Sequence, residues 1–332
     1  MSVMIAVLGE AVVDLVETAE PGLYRAHPGG SPLNVAVGLA RLGHPTALLA
    51  RLSQDAFGRM FRSHLAASGV DLGHLVEASQ PSTLAVASLD PAGAATYDFW
   101  VEGTADWQWT PAELAGPLPD GVVALHTGSM ALEVPPGAGV VADLVRREHE
   151  RGQVTISYDP NVRLARLGPR EPALHRVEEL VGLSDVVKVS ADDLAWLLPA
   201  EEPAAVARRW AKAGPALVVV TLGAAGAVGA TAGGVEQHRP APPVDVVDTV
   251  GAGDAFASGL LGWLADRGAL GPAGRAALAG LDRDAVAEML DRAALVAALT
   301  CARPGADPPT RAEVEQAAAV TEQSPSMEMG TT

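Results

Sequence analysis

A single cysteine, Cys301, stands in 332 residues. It rules out an intramolecular disulfide and any zinc site built from several thiolates, and gives no reason to expect an oxidising compartment. So isolated a thiol is expected simply to pack in the core. Basic side chains are scarce too, 23 against 40 acidic ones for a net charge of −17, and no five of them run together. Nucleic acid and anionic membranes call for a basic patch and are not expected partners. No apolar run reaches the roughly 18 residues of a membrane span. The opening MSVMIAVLGEAVVDLVE lacks a basic start and meets Glu10 and Asp14 too early for a secretion signal, so a soluble cytoplasmic chain is expected. Absent as well are a G-x-x-x-x-G-K-[ST] loop, H-R-D, D-F-G, G-x-S-x-G and H-E-x-x-H. The eight histidines lie singly, which suits surface or packing roles.

What is present is apolar residue, 48% of the chain, ample for one large domain. Strand-length runs (VMIAVLG, PTALLARL, GVVALHTG, VTISYDPN, DVVKVS, ALVVVTLG) alternate with amphipathic segments such as SPLNVAVGLARLG and DAFGRMFRSHLAASG. Strands apolar on both faces and separated by helices predict an α/β fold, a mostly parallel sheet covered by helices on both sides. Two stretches depart from this, residues 11–28 and 82–101, the second turning at DPAG; both are hairpin-like and could pair as a small sheet over one end of the large one, either a lid or an ordinary extension of the sheet. Residues 271–284, GPAGRAALAGLDRD, read as a Gly/Ala-rich loop. The end of the chain, 319–332, lacks periodicity and is expected to be disordered beyond a single domain over 1–318.

Glycine-rich turns at strand-to-helix junctions carry the chemistry, because helix N-termini and strand C-ends converge there. In PGGSPLNVAVG, Gly29 and Gly30 permit close backbone approach, and Asn34 puts an amide among small apolar residues, where a polar ligand would give it a partner. TLGAAGAVG, residues 221–229, is either a ligand-binding turn or a tight hairpin leading to AVGAT. In DTVGAGDAFASGLL, Gly251, Ala252 and Gly253 leave amides bare at a helix start, ready for an anion. Asp254 there would repel a phosphate unless it had a task, such as taking a proton from an attacking hydroxyl; the bland alternative is helix capping.

PGGSPLNVAVGLARLG and DTVGAGDAFASGLL resemble the two signature segments of the ribokinase-type (PfkB) sugar kinases, in the right order and about 220 residues apart. The likeness runs from Val3 to about Ala318, and GEAVVDLV, YDPNVR and DVVKVS resemble the fructokinase branch. It implies a three-layer αβα ribokinase-like core with a β-sheet lid from about 11–28 and 82–106. It also implies transfer of the γ-phosphoryl group of ATP to a sugar hydroxyl.

Carried over to this sequence, the resemblance makes Asp254 the catalytic base and the amides of Gly251, Ala252 and Gly253 the anion hole. Asp14, Gly29, Gly30 and Asn34 would hold the sugar, with Arg163 of DPNVR near the phosphate. Tyr97 and Phe99 are candidates to line the sugar pocket, while Trp107 and Trp109 equally suit packing of the lid on the core. For ATP, Thr221, Gly223 and Gly226 match the nucleotide turn, and Lys188 precedes the segment where the family shows N-x-x-E. Here Ser190 and Asp193 replace Asn and Glu, so their contact with the water shell of Mg²⁺ is weakened. Asp248, the main chain at Val250 and the loop at Gly305 match a K⁺ site. A homodimer through the lid is the family expectation.

Within the class the alternatives to fructose are 2-keto-3-deoxygluconate, whose carboxylate Arg163 could meet, and an adenosine-type nucleoside. A catalytically inactive sugar sensor on the same fold is opposed by Asp254 and the intact Gly-Ala-Gly. A nicotinamide oxidoreductase requires G-x-G-x-x-G, and position 256, where its third glycine would fall, is Phe.

Overall fold

The computed structural model describes residues 3–18, 20, 22–89, 95–162 and 168–322. From the N-terminus, β1 (Met4–Leu8) enters the core, β2 (Val12–Glu17) and β3 (Tyr24–Gly29) form a hairpin, and α1 (Ser31–Arg41) leads to β4 (Thr46–Leu49) and β5 (Arg51–Ser53). Helix α2 (Ala56–Ala67) and β6 (Val76–Ala78) precede a second hairpin, β7 (Thr83–Leu89) with β8 (Ala95–Trp100). There follow α3 (Pro111–Leu114), β9 (Val122–Gly128), α4 (Gly137–Arg151), β10 (Thr155–Asp159), α5 (Arg170–Gly182), β11 (Val186–Ser190), α6 (Ala191–Leu197), α7 (Pro203–Ala211) and β12 (Leu217–Thr221). Strands β13 (Ala227–Thr231) and β14 (Glu236–Arg239) fold back antiparallel, and α8 (Ala252–Asp266), α9 (Gly271–Ala279), α10 (Arg283–Cys301) and α11 (Arg311–Glu322) complete the described chain.

The large sheet runs β14-β13-β12-β11-β10-β9-β1-β4, parallel except where β13 pairs with its neighbours. Alternation along each strand divides the core in two. Ile5, Val7, Ala124, Val186 and Val219 pack with residues of α1, α8 and α10 on one face. Leu8, Leu125, Ile156, Val187, Val189 and Val218 pack with residues of α4 to α7 on the other. The result is three layers, helices–sheet–helices, around a parallel sheet buried on both faces.

A separate four-stranded sheet, β3-β2-β7-β8, is built from the two hairpins, which meet where β2 pairs parallel with β7. No helix among the described residues is long and apolar enough to cross a membrane.

Two local expectations are corrected. Residues 271–284 are not a loop: Gly271–Ala279 is helix α9 and α10 begins at Arg283, because alanine is the strongest helix former and Pro272 sits in the permissive first turn. Asp282 caps α10 by accepting from Ala285 N at 2.8 Å. Residues 319–322 of the expected tail belong to helix α11, which continues to Glu322; residues 323–332 lie outside the described set.

Candidate active site

The site is built at the start of α8. Gly251, the helix N-cap, has φ +75°, and a methyl group there would lie 2.5 Å from Ala306 Cβ, so both conformation and space demand glycine. The turn aims the first amides of α8 outward. That of Ala252 is engaged by Thr249 O at 3.2 Å, while Gly253 and Asp254 have no carbonyl one turn back within the helix. Gly253 and Asp254 thus head the positive end of the helix dipole, which favours an anion.

Asp254 is 8% exposed and gripped from α1: Ser31 Oγ donates to Oδ1 at 2.6 Å and Asn34 Nδ2 to Oδ2 at 2.8 Å. Gly30, at φ +101°, bends the chain out of β3, and Pro32 fits the first turn of α1, so both donors face α8. Asn34 therefore finds its buried partner in the protein's own carboxylate, not in a ligand alone. Burial pushes the Asp254 carboxyl above the usual range; the bonds from Ser31 and Asn34 and the Lys188 charge oppose this without cancelling it. A carboxylate so placed binds a proton more readily than one in water, as a general base must.

Below α8 lies a second buried charge group. Lys188 Nζ on β11 makes a 2.8 Å ion pair with Asp159 Oδ2 on β10, with side chains 7% and 1% exposed. A methyl on Gly253 would come within 2.9 Å of Nζ, so the ammonium lies directly against the α8 turn. Burial alone would lower Lys188, but Asp159, with Asp193 and Asp254 beyond, raises it and keeps it charged. Asp159 Oδ1 is buried without a hydrogen-bond partner. Asp193 sits in a capping box with Ser190, accepting from Ser190 N at 3.1 Å while Ser190 Oγ accepts from Asp193 N at 3.0 Å. Its other oxygen accepts from Val162 N at 2.9 Å, which ties the DPNV turn to α6. Burial and the Asp159 charge raise the Asp193 carboxyl.

Lys188, Ser190 and Asp193 of these groups open into a cleft of about 670 Å³. Lys188, Ser190, Asp193, Asn161 and Gly253 line its polar end. Its remaining wall is mostly apolar, with Pro242, Val244, Val246, Phe256, Ala294, Ala297 and Ala298. A flat apolar base with a polyanionic tail suits such a cavity: the tail toward the ammonium and helix start, the base among the small apolar residues. Thr221, Gly223 and Gly226 also line it. They form the β12–β13 turn, so the hairpin geometry holds; Gly226, at φ +95°, has no room for a side chain against Arg239 O. Cys301 corrects its core-packing expectation, for it lines the cleft half-buried at the end of α10.

The four-stranded sheet reaches the same region through Gly29 and Gly30, which lead directly into Ser31. Gly29 lets the Asp14 side chain lie against the backbone, since a methyl there would be 2.1 Å from Asp14 Oδ2 and would displace the carboxylate. Asp14, Ala85 and Phe99 form one cross-strand row. Phe99 packs against Val101, Trp107 and Met130. Tyr97 pairs across from Ala87, and its side chain lies outside the described set. Trp107 and Trp109 are buried, 1% and 3% exposed, which settles them as packing residues. Arg163 lies outside the described residues. Asp248 is a cross-link: its oxygens accept from Val250 N at 3.0 Å and Gly305 N at 2.8 Å, bringing together the three positions of the expected K⁺ site.

Sequence reasoning missed Ser31 and Asp159. Ser31 stood in the quoted segment, and a serine opening a helix that ends its first turn in Asn was the available signal. Asp159 had none, since its partner comes from the neighbouring strand.

A helix start open to an anion beside a buried carboxylate, on a helix–sheet–helix core with a second small sheet, is the arrangement of an ATP-dependent sugar kinase of ribokinase-like architecture. The chain belongs to the pfkB family of carbohydrate kinases, whose family model matches residues 3–313. It is 38% identical over 270 residues to a fructokinase of Klebsiella pneumoniae, covering 81% of this chain and 86% of the relative. Among solved structures, the fructokinase of Xylella fastidiosa with bound ATP superposes with a TM-score of 0.85 at 28% identity, over 96% of this chain and 98% of that one. The Vibrio cholerae fructokinase with fructose, ADP and calcium bound gives 0.80 at 30% identity, over 95% and 98%.

Proposed function

We propose that this kinase phosphorylates fructose, with Asp254 as the general base. The observation that carries the chemistry is the buried Asp254, fixed at both oxygens by α1 and raised in proton affinity, at the mouth of an anion-ready helix. An incoming sugar hydroxyl gives its proton to Asp254 while its oxygen attacks the γ-phosphorus of ATP, whose bond to the β,γ-bridging oxygen breaks so that ADP leaves. The amides at the start of α8 and the Lys188 ammonium receive the charge that develops on the transferred group. Asp14 and the open backbone at Gly29 and Gly30 hold sugar hydroxyls, and the four-stranded sheet covers them as a lid. Fructose is supported by the Klebsiella and Vibrio relatives.

The donor set fits Mg²⁺ bound through its water shell. Each oxygen of Asp193 accepts one amide and keeps a second lone pair, and Asp159 Oδ1 is orphaned beside a site with more carboxylates than ammonium groups. When bound, Mg²⁺ neutralises charge on the transferring phosphates. Asp248, Val250 and Gly305 converge as a holder for K⁺. Exposed Val16, Tyr24 and Trp100 on the small sheet favour a homodimer through it, and the acidic chain fits a cytoplasmic enzyme.

A panel of sugars in a coupled ADP-release assay tests the substrate. Turnover with fructose supports the proposal, and ATP consumption with 2-keto-3-deoxygluconate but not fructose overturns it. Asp254→Asn should lower kcat by roughly 10²–10⁴-fold while sparing sugar binding.

A further inference from the structure

Four stretches of chain join the small sheet to the core: residues 9–12, 29–31, 78–83 and 100–105. Asp106, 3% exposed in the short 3₁₀ turn Ala105–Trp107 just after the last of these, touches three of them. Its Oδ1 accepts from Ala11 N at 2.8 Å, at the entry to β2. Its Oδ2 accepts from Thr83 Oγ1 at 2.5 Å, at the entry to β7. Thr83 Oγ1 lies 2.6 Å from Thr104 Oγ1, which donates to Val101 O at 2.8 Å, at the exit from β8. Ala105 N donates to Pro81 O at 2.9 Å, stitching the third crossing to the fourth. The remaining crossing is held by shape, because Gly30 packs against Glu10 O and Val12 N with no room for a side chain.

We infer that Asp106, with Thr83 and Thr104, is the hinge clamp of the small sheet and a positioning residue for the sugar. The reason is geometric. Asp14 lies three residues beyond Ala11 on β2, and Phe99 two residues before Val101 on β8, so the segments that cover the sugar are anchored at Asp106. One buried carboxylate bonded to two segments, and linked to the third through the Thr83–Thr104 contact, fixes their relative position in a way that separate local bonds would not. No cation among the described residues pairs with it. The nearby charges are committed elsewhere: Arg51 donates to Ala105 O and pairs with Glu113, Asp55 accepts from Ser82 N and Ser82 Oγ, and Glu10 accepts from Ala131 N. Asp106 thus holds chain segments, not a charge partner. The inference rests on the proposed role of the small sheet as the cover of the sugar.

The test uses Asp106→Ala and Thr83→Val in the full chain. Hydrogen exchange is followed in β2, β3 and β7, and steady-state kinetics are measured for sugar and ATP separately. Both variants should exchange faster in the small sheet with the large sheet unchanged, and should raise the sugar KM by roughly ten-fold with the ATP KM held. Asp106→Asn keeps an acceptor for Ala11 N and gains a donor for Thr83 Oγ1, so it should restore most of the sugar KM. If Asp106→Ala does not fold, Thr83→Val decides alone. Unchanged exchange in the small sheet overturns the clamp. Faster exchange with an unaltered sugar KM overturns the positioning role and the sheet's part as sugar cover, while leaving Asp254 and the kinase chemistry standing.

Discussion

Asn34 and Asp254 stand 220 residues apart in sequence and 2.8 Å apart in space, amide nitrogen to carboxylate oxygen. The bond joins the N-terminal turns of α1 and α8, so the two glycine-rich segments of the chain meet at one buried acid.

Removing that donor is expected to act on the base more than on the fold. In Asn34→Ala, Asp254 keeps its burial and loses one of the bonds that oppose it, so its carboxyl rises further. The base must be ionised to work, and the acid limb of the kcat/KM–pH profile should move to higher pH. On the acid limb of the profile kcat/KM should fall by roughly ten-fold. A profile that keeps its position, with a uniform loss, would show that Asn34 acts on the sugar alone.

Lys188→Met should be severe in a different way. It leaves Asp159 and Asp254 buried without their shared cation, and breaking a buried pair typically costs about 3–5 kcal/mol. Denaturant unfolding measures this directly. Adding Asp159→Asn should recover part of the loss, since the uncompensated charge is then removed.

Asp106 gives a pH dependence to stability. Burial, opposed by the Thr83 hydroxyl and the Ala11 amide, pushes its carboxyl up to about 6, against roughly 3.9 in an unfolded chain. Between those values the folded protein holds a proton that the unfolded chain has released. The stabilisation is therefore complete below the unfolded value and is lost as pH rises through about 6, by up to roughly 3 kcal/mol. Asp106→Asn removes this titration. The stability of the wild type relative to Asp106→Asn should fall between about pH 4 and about pH 7 in urea titrations. A constant difference would mean that Asp106 does not titrate in that window.

Gly251→Ala combines an unfavourable φ of +75° with a contact to Ala306 Cβ at 2.5 Å. It should cost about 1–3 kcal/mol and, by shifting the first turn of α8, raise the KM for ATP. Thermal unfolding and nucleotide titration check the two parts separately.

Much of the fold was legible because its signals are local. Continuous apolar runs marked β1, β9, β10, β11 and β12, since strands buried on both faces need no alternation. The hairpins at 12–29 and 83–100 followed from turn residues between strand-like stretches. Helix α9 was missed because its small residues leave little periodicity to read, although alanine favours helix. Cys301 was misplaced because position within a helix does not say whether its neighbours enclose a core or a cleft.

The candidate site divides along the same line. By itself the sequence determined that Gly251, Ala252 and Gly253 form a turn at a helix start, that Asp254 follows within that first turn, and that Gly29 and Gly30 precede a second helix. Backbone freedom and helix-end amides depend only on neighbours in the chain. Tertiary structure alone decided that Ser31 and Asn34 grip Asp254, that Lys188 pairs with Asp159, and that Asp106 bonds two crossings of the small sheet. Each of these joins residues from different elements, and a buried charge takes whatever partner the packing brings to it, since leaving it unpaired is too costly.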